Sequence, residues 1–255
     1  MKKKEIFYNL ICPFIGVIVF VCVWAIAAAI YGKPLILPDV GSVLVSFFKL
    51  FASGDFYASM GMTFLRSVAC FVMAYVLALP LALASAFSAS LAGIIRPITD
   101  FFRTLPVIAI ILVTLILFPS TFTPIAVGFL TVFPLLYSAL YNSLTCVAMR
   151  KNLDMCRAYN VGKRNIAKYL YMPALIPSSF AQAETLLPLA VKVVVSGEVL
   201  AYTRVGLGLA MHSAQLNVET DKLVAYAFVA ALLSFVASLS VKLIRLICRR
   251  LKLCR

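Results

Sequence analysis

Three ionisable residues interrupt one apolar run, and their types limit the chemistry that this run could perform. Glu184, Lys192 and Glu198 lie between Tyr169 and Val199. Lys192 is eight residues from Glu184 and six from Glu198, so it has no carboxylate one turn away on its own helix. Ionisable residues inside a membrane are costly and commonly bind ions or solutes. If this run spans a membrane, Lys192 indicates either an anion site in a transport pathway or an interior ion pair.

Glu198 and Arg66 are the other candidate pathway residues. Glu198 lies near the outer end of its run, where it could line an external gate or hydrogen-bond the following segment, Gly206-Leu-Gly208. Arg66 lies within about one turn of the outer end of another apolar run, where a long side chain can snorkel to the membrane surface. Glu184, nearer the cytoplasmic side, is expected at a helix interface.

The sequence lacks the patterns of an enzyme. Gly162-Lys163-Arg164 is similar to the end of a P-loop, but Arg157 stands where the first glycine belongs and no Ser or Thr follows the lysine. Gly206-Leu-Gly208 is no dinucleotide motif, because Met211 occupies the third glycine position. The seven cysteines form no CxxC pair and no cluster with the single histidine. We therefore expect no catalytic residues, no metal and no cofactor.

The composition is that of an integral membrane protein. Of the 255 residues, 64% are hydrophobic and 13% are charged, whereas soluble domains are roughly 45–50% apolar and about 25% charged. The net charge of +14 would suggest nucleic acid in a soluble protein. Here the positions of the charges relate to membrane topology instead, and we expect no nucleic acid partner.

Charge-free runs predict an all-α membrane protein with six transmembrane helices in a single domain over residues 1–255. A span needs about 20 apolar residues. The run from Thr104 to Met149 is too long for one helix, and the two prolines of Pro119–Pro124 predict a tight turn inside it. The predicted spans are residues 10–30, 64–88, 104–118, 124–145, 175–200 and 223–244.

The basic residues predict that both termini are cytoplasmic. With Lys2, Lys3 and Lys4 inside, six alternating spans put 17 Lys and Arg residues in cytoplasmic segments and 4 in external ones. That imbalance is what the positive-inside rule predicts. The first apolar run is longer than the hydrophobic part of a usual signal peptide, so we expect an uncleaved first helix.

Two segments outside the spans should be structured. Val43, Leu44, Phe47, Phe48 and Phe51 have helical spacing, which predicts a short amphipathic helix on the outer surface, capped near Asp39 or Ser42, or else a loop packed on the bundle. The basic segment 150–172 is predicted to form two short helices. The first would run from about Leu153 to Tyr159, with Asp154 near its start, and would end at Asn160-Val161-Gly162. The alternative for this segment is a solvated charged loop anchored by headgroups.

The basic segment resembles the EAA loop of bacterial ABC-importer permeases. Aligned on Pro173, Asp154 takes the Glu place, Met155 and Cys156 the Ala places, and Asn160 the Gly place. The resemblance covers nearly the whole chain and is strongest to permeases of the nitrate, sulfonate and taurine type. Its other motifs are Arg66 with Phe71 and Pro80, Arg103-Thr-Leu-Pro106, Glu198 at 21 residues after Pro177, and Gly206-Leu-Gly208.

The resemblance implies a type I permease fold in the bacterial cytoplasmic membrane and a function in import. A cytoplasmic ABC ATPase, present in two copies, would dock on a coupling helix, and a binding protein outside would deliver a small polar or anionic solute. Such solutes are nitrate, sulfonate, taurine or a thiamine-pyrimidine precursor. The pathway would form between two permease copies, by default a homodimer. The coupling residues would be Asp154, Met155, Cys156, Arg157, Ala158, Tyr159, Asn160, Val161 and Gly162.

Four residues stand where the family has glycines, so helix packing should differ in detail; they are Cys70, Ala78, Gln182 and Pro188.

A rival interpretation is a secondary transporter or channel that uses Lys192 and Glu198 without an ATPase. A membrane enzyme has no supporting residue cluster.

Overall fold

The computed structural model describes the backbone of residues 2–250 and the side chains of Cys12 and residues 14–248. In this part of the chain helix accounts for 86% and strands are absent, which confirms the predicted all-α class. Lys252 and Arg255 lie outside the described residues, and so do the side chains of Lys2, Lys3 and Lys4, on which the predicted orientation partly depends.

The described residues form eleven α-helices and one π-helical turn. The turn, Ala167–Tyr171, joins α8 to α9. The helices are α1 Lys2–Tyr31, α2 Val40–Leu50, α3 Gly54–Phe87, α4 Ala89–Thr104, α5 Val107–Leu117, α6 Thr123–Thr145, α7 Val147–Ala158, α8 Lys163–Ile166, α9 Met172–Ala201, α10 Leu207–Leu216 and α11 Thr220–Arg250.

Four helices are long and apolar enough to cross a membrane. They are α1, α3, α6 and α11, and the pair α4 and α5 would add a fifth span if it counts as one broken helix. The 30-residue α9 is also long enough, but it carries the three ionisable residues noted above. The structure therefore supports four or five spans by length and composition, and the count of six with both termini inside stays a prediction.

The segment predicted as the span 104–118 contains a sharp bend. The axes of α4 and α5 meet at 103°, because Leu105 precedes Pro106 and is held in an extended conformation. The helix α5 has eleven residues, a rise of about 16 Å against the roughly 30 Å of a hydrocarbon core. The predicted turn after it is present, with the Phe122 amide donating to the Pro119 carbonyl at 2.9 Å.

The described residues divide into two compact units. One comprises residues 2–57 and 210–229, and the other comprises residues 58–209 and 230–250. In the first unit the Trp24 indole donates to the Pro38 carbonyl at 3.2 Å and stacks on Phe228. The Ser46 hydroxyl donates to the Asp221 carboxylate.

The predicted short helix after the first span is confirmed as α2, and Asp39 is its N-cap. Its location on the outer surface stays a prediction. The Asp39 carboxylate accepts from the Ser42 amide at 2.9 Å. Hydrogen bonds from Ser42 lower the pKa of this carboxyl below its usual 3.8. Val43 and Leu50 are buried while Leu44 and Phe48 are exposed, so apolar side chains lie on both faces of the helix.

The second unit is built around α3, α6 and α9. Small residues follow one face of α3 at four-residue intervals: Cys70, Ala74, Ala78 and Ala82 are all fully buried. A stripe of small residues lets helices approach closely in a membrane protein. The larger core side chains come from the other two helices and include Leu136, Leu140, Leu186 and Val194.

The contact between Cys70 and Gly128 shows how packing adjusts to one replaced family glycine. A Cβ on Gly128 would lie 2.6 Å from the Cys70 sulfur and 3.2 Å from Val194. The glycine on α6 therefore leaves the space that the thiol of α3 occupies.

Candidate functional sites

The segment predicted to meet an ATPase begins earlier than expected. The first helix, α7, starts at Val147 rather than near Leu153, so the prediction that Asp154 lies near a helix N-terminus is wrong. Asp154 lies in the second half of α7, where it faces Arg157 at 3.6 Å with both side chains about 70% exposed. Such an exposed pair contributes roughly 0–1 kcal/mol.

Asn160 ends α7 as predicted. Its φ is +52°, a left-handed conformation that Asn adopts more readily than most side chains. The Val161 amide donates to the Cys156 carbonyl at 2.9 Å, and the Asn160 amide donates to the Arg157 carbonyl at 3.0 Å. These two bonds form a Schellman motif, which satisfies the last carbonyls of the helix and fixes the direction of the chain beyond it.

The 154–162 segment has an inner and an outer face. Cys156 and Val161 are partly buried against the core of the second unit, together with Leu153 just before the segment. Met155 and Tyr159 are 62% and 80% exposed. The anchored side chains hold the segment on the helical core, so the outer face is presented as a preformed surface.

A groove lies beneath this segment. It has a volume of about 440 Å³ and is lined by residues from α3, α7, α8 and the π-helical turn. Arg157 and Lys163 supply two positive charges at its edge, and Tyr171 lies in its wall. The basic side of the segment and its apolar outer face are thus adjacent.

Arg66 and Glu198 form a buried ion pair. The Arg66 Nη1 atom lies 2.7 Å from Glu198 Oε1, and the two side chains are 5% and 0% exposed. The prediction that Arg66 snorkels to the membrane surface is therefore wrong. The same nitrogen donates to the Val205 carbonyl at 2.7 Å, so the arginine joins α3, α9 and the loop after α9.

The predicted bond between Glu198 and the Gly-Leu-Gly segment is present. The Gly208 amide donates to Glu198 Oε2 at 3.0 Å, and the Thr63 hydroxyl donates to the same oxygen at 2.8 Å. The Leu207 amide in turn donates to the Thr63 oxygen at 2.9 Å. With Arg66, the carboxylate thus has three donors, which offsets the cost of burying its charge.

Both glycines of this segment are required by the close approach of Glu198. A Cβ on Gly208 would lie 2.4 Å from the Glu198 Cβ, and one on Gly206 would lie 2.5 Å from Glu198 Oε2. Gly206 also has φ +155°, a conformation that side chains rarely adopt. The backbone of Gly206 and Gly208 therefore packs directly against the Glu198 side chain.

Lys192 is separate from this network. Lys192 is six residues before Glu198 and therefore points about 120° away from it around the axis of α9. Its side chain is exposed, whereas that of Glu198 is buried. Among the described residues, its ammonium has no hydrogen-bond or ion-pair partner. It lines a groove of about 470 Å³ between α9 and α11.

Glu184 lies at a helix interface, as expected. Its carboxylate is 3.1 Å from the Lys242 ammonium and 3.8 Å from Arg245, both on α11. Sequence reasoning missed these two partners. Their spacing was the available signal, since residues three apart on a helix share a face.

Thr63 is the other residue that sequence reasoning missed. It precedes Arg66 by three residues and so lies on the same face of α3.

Among the residues that the structure describes, His, Cys, Asp and Glu form no group of three that could hold a metal ion.

These features define a class of protein: an all-helical, multi-pass membrane protein with charged groups bound between its helices. The family described as "Binding-protein-dependent transport system inner membrane component" matches residues 74–250. The chain belongs to this family, which works with an ATPase and a binding protein. It is 23% identical over 226 residues to the taurine transport system permease protein TauC of Escherichia coli (strain K12), an alignment that covers 86% of this chain and 81% of that protein.

Proposed function

We propose that this chain is the permease subunit of an ATP-driven importer in the bacterial inner membrane, and that its ATPase docks on the 154–162 segment within the coupling loop 150–172. Family membership supports transport as the function. The name of TauC supports a small anionic or zwitterionic solute of the sulfonate type. The functional unit contains two permease copies, by default a homodimer, two ATPase subunits and one external binding protein.

The outer face of α7 is the observation that carries the docking proposal. Met155 and Tyr159 are exposed apolar side chains on a short helix that Leu153, Cys156 and Val161 hold against the core. Burying an exposed aromatic and a methionine in a partner groove would supply hydrophobic free energy. Because the Schellman motif fixes the segment, movement of the partner would be transmitted to α8 and α9 rather than absorbed by a flexible loop.

The pathway would follow α9, whose Lys192 is the candidate solute contact. Arg66 and Glu198 are the other pathway candidates from the sequence. Their mutual pairing and burial favour a role in joining α3, α9 and the Gly-Leu-Gly segment at the outer end of the pathway.

Co-purification tests the docking proposal. The permease is expressed with a candidate ABC ATPase subunit from the same organism, and both are followed through affinity purification in mild detergent. We expect the wild-type chain to retain the ATPase and Ala158→Trp or Asp154→Arg to lose it. Tyr31→Ala, which removes an aromatic side chain that is 60% exposed at the last residue of α1, is the control and should retain it.

Two results would contradict the docking proposal. If the wild-type chain retains no ATPase, the secondary transporter or channel becomes the better explanation. If Ala158→Trp and Asp154→Arg retain it as well as the wild type does, the ATPase docks elsewhere on the chain.

A further inference from the structure

The groove between α9 and α11 has the composition of a small polar binding site. Two hydroxyl-bearing helices form its walls, and the volume of about 470 Å³ suits a small solute. The Ser238 hydroxyl makes no hydrogen bond to the described residues, whereas Ser234 is bonded to the Ala230 carbonyl. The complete lining is Glu184, Thr185, Pro188, Lys192, Ala231, Ser234, Phe235 and Ser238.

The groove carries a net positive charge. Lys192 lies in its wall, and Glu184 in the same wall is already bound by Lys242 and Arg245. Three cations against one carboxylate leave a net charge of +2. An unsatisfied ammonium beside low-dielectric helices attracts an anion more strongly than it would in water.

Within the predicted spans, a second copy of the chain offers no unpaired carboxylate to neutralise Lys192. The chain has nine Asp and Glu residues, and only Glu184 and Glu198 fall within the predicted spans. Glu184 is bound to two cations, and Glu198 is bound to Arg66 and to two further donors. With these spans, a counter-charge for Lys192 inside the membrane of a homodimer would come from outside the protein.

We propose that the α9–α11 groove binds the anionic group of the transported solute, a sulfonate or carboxylate, with the Lys192 ammonium as its counter-charge and the Ser238 hydroxyl as a hydrogen-bond donor. This inference rests on the proposed transport function and specifies its substrate class. The Arg66–Glu198 pair takes no part in the binding, because its charges are mutually satisfied and buried.

Charge-selective thiol labelling tests the groove directly. Ala231→Cys, at an exposed lining residue with no role in the proposed binding, is made in a full-length chain whose native cysteines are replaced, and the protein is placed in phosphatidylcholine nanodiscs. The reaction rates of an anionic and a cationic methanethiosulfonate are then compared. We expect Lys192→Gln to lower the ratio of anionic to cationic rate by about tenfold, and Lys49→Gln, which removes an exposed cation on α2, to leave it unchanged.

Protection by a small ligand tests binding rather than charge alone. Millimolar ethanesulfonate should slow labelling of Ala231→Cys when Lys192 is present and have no effect when Lys192→Gln is added. Ethylammonium should not protect in either protein.

Three results would overturn the proposal. The first is an unchanged ratio of anionic to cationic labelling rate in Lys192→Gln. The second is no protection by ethanesulfonate. The third is protection by phosphatidylglycerol in the nanodisc without protection by ethanesulfonate, which would identify the occupant as a lipid. The measurement uses the permease without its ATPase. It therefore fails or succeeds independently of the co-purification test of the proposed function.

Discussion

The guanidinium of Arg66 on α3 and the carboxylate of Glu198 on α9 meet at 2.7 Å, with neither side chain more than 5% exposed. The two residues are 132 positions apart in the chain. Their pairing joins two helices of the second unit to the Gly-Leu-Gly segment, because both residues also bind backbone groups of residues 205–208.

Removing one partner of this pair should destabilise the protein strongly. We expect Arg66→Met to lower the free energy of unfolding by about 3–5 kcal/mol, because Glu198 would be left as a buried, uncompensated charge. Denaturant unfolding in mild detergent, followed by circular dichroism, measures the change. Arg204→Met, the loss of an exposed arginine, is the matched control and should change stability little.

A double variant separates the charge from the packing. Arg66→Met with Glu198→Leu removes both charges and should recover part of the stability lost in Arg66→Met, since replacing a whole buried pair by apolar side chains is often neutral. A double variant as unstable as the single one would show that the cost arises from lost packing or backbone bonds instead.

Gly208 should not tolerate even a methyl group. The Cβ of Gly208→Ala would lie within 2.4–2.6 Å of the Glu198 side chain and of two backbone atoms of α9, so α9 or the loop must shift. Overpacking of this kind costs typically 1–3 kcal/mol, measured by the same unfolding experiment.

Gly61→Ala is the control for this glycine. It lies on α3 with nothing within 4 Å of the added Cβ, and Ala is favoured over Gly in a helix interior by about 1 kcal/mol. Equal destabilisation by Gly208→Ala and Gly61→Ala would mean that close approach to Glu198 is not the reason for the glycine.

The left-handed backbone at Asn160 should be needed for docking of the ATPase. Asn160→Gly keeps φ +52° accessible and should retain the ATPase in co-purification. Asn160→Val places a β-branched side chain in that conformation, which should shift the end of α7 and reduce retention. If Asn160→Val retains the ATPase fully, the fixed Schellman geometry is unimportant for docking.

Topology labelling can test the predicted six spans. Single cysteines at two exposed positions, Ser53→Cys before α3 and Asn152→Cys on α7, should lie on opposite sides of the membrane. In intact spheroplasts, an impermeant maleimide should label Ser53→Cys, and it should label Asn152→Cys only after permeabilisation. Labelling of both from outside would place residues 53 and 152 on the same side of the membrane and would contradict the three spans predicted between them.

Local chemistry predicted some elements well. Asp39 was expected near the cap of a short helix, and it caps α2. Asn160 was expected to end a helix, and it does so with a left-handed backbone. The start of α7 was missed because Cys146 offers no side-chain hydrogen bond to the first turn, so the sequence carries no capping signal there.

Ion pairs between side chains of different helices could not be predicted from the sequence. Arg66, Glu198 and Lys192 are all ionisable residues in or near apolar runs, and all three are pathway candidates from the sequence. Which of them pair depends on how α3, α6 and α9 pack. Small residues allow that packing, as where Gly128 of α6 leaves room for the Cys70 thiol of α3.

The sequence by itself determined that the chain is a helical membrane protein with a structured basic segment, because apolar run length, charge position and turn chemistry are local properties. It also contains the motifs that resemble those of the permease family. Only the tertiary structure decided that Arg66 is bound to Glu198 while Lys192 faces an open groove. A buried charge must find a partner, and the identity of that partner is a property of the packed helices rather than of the order of residues along the chain.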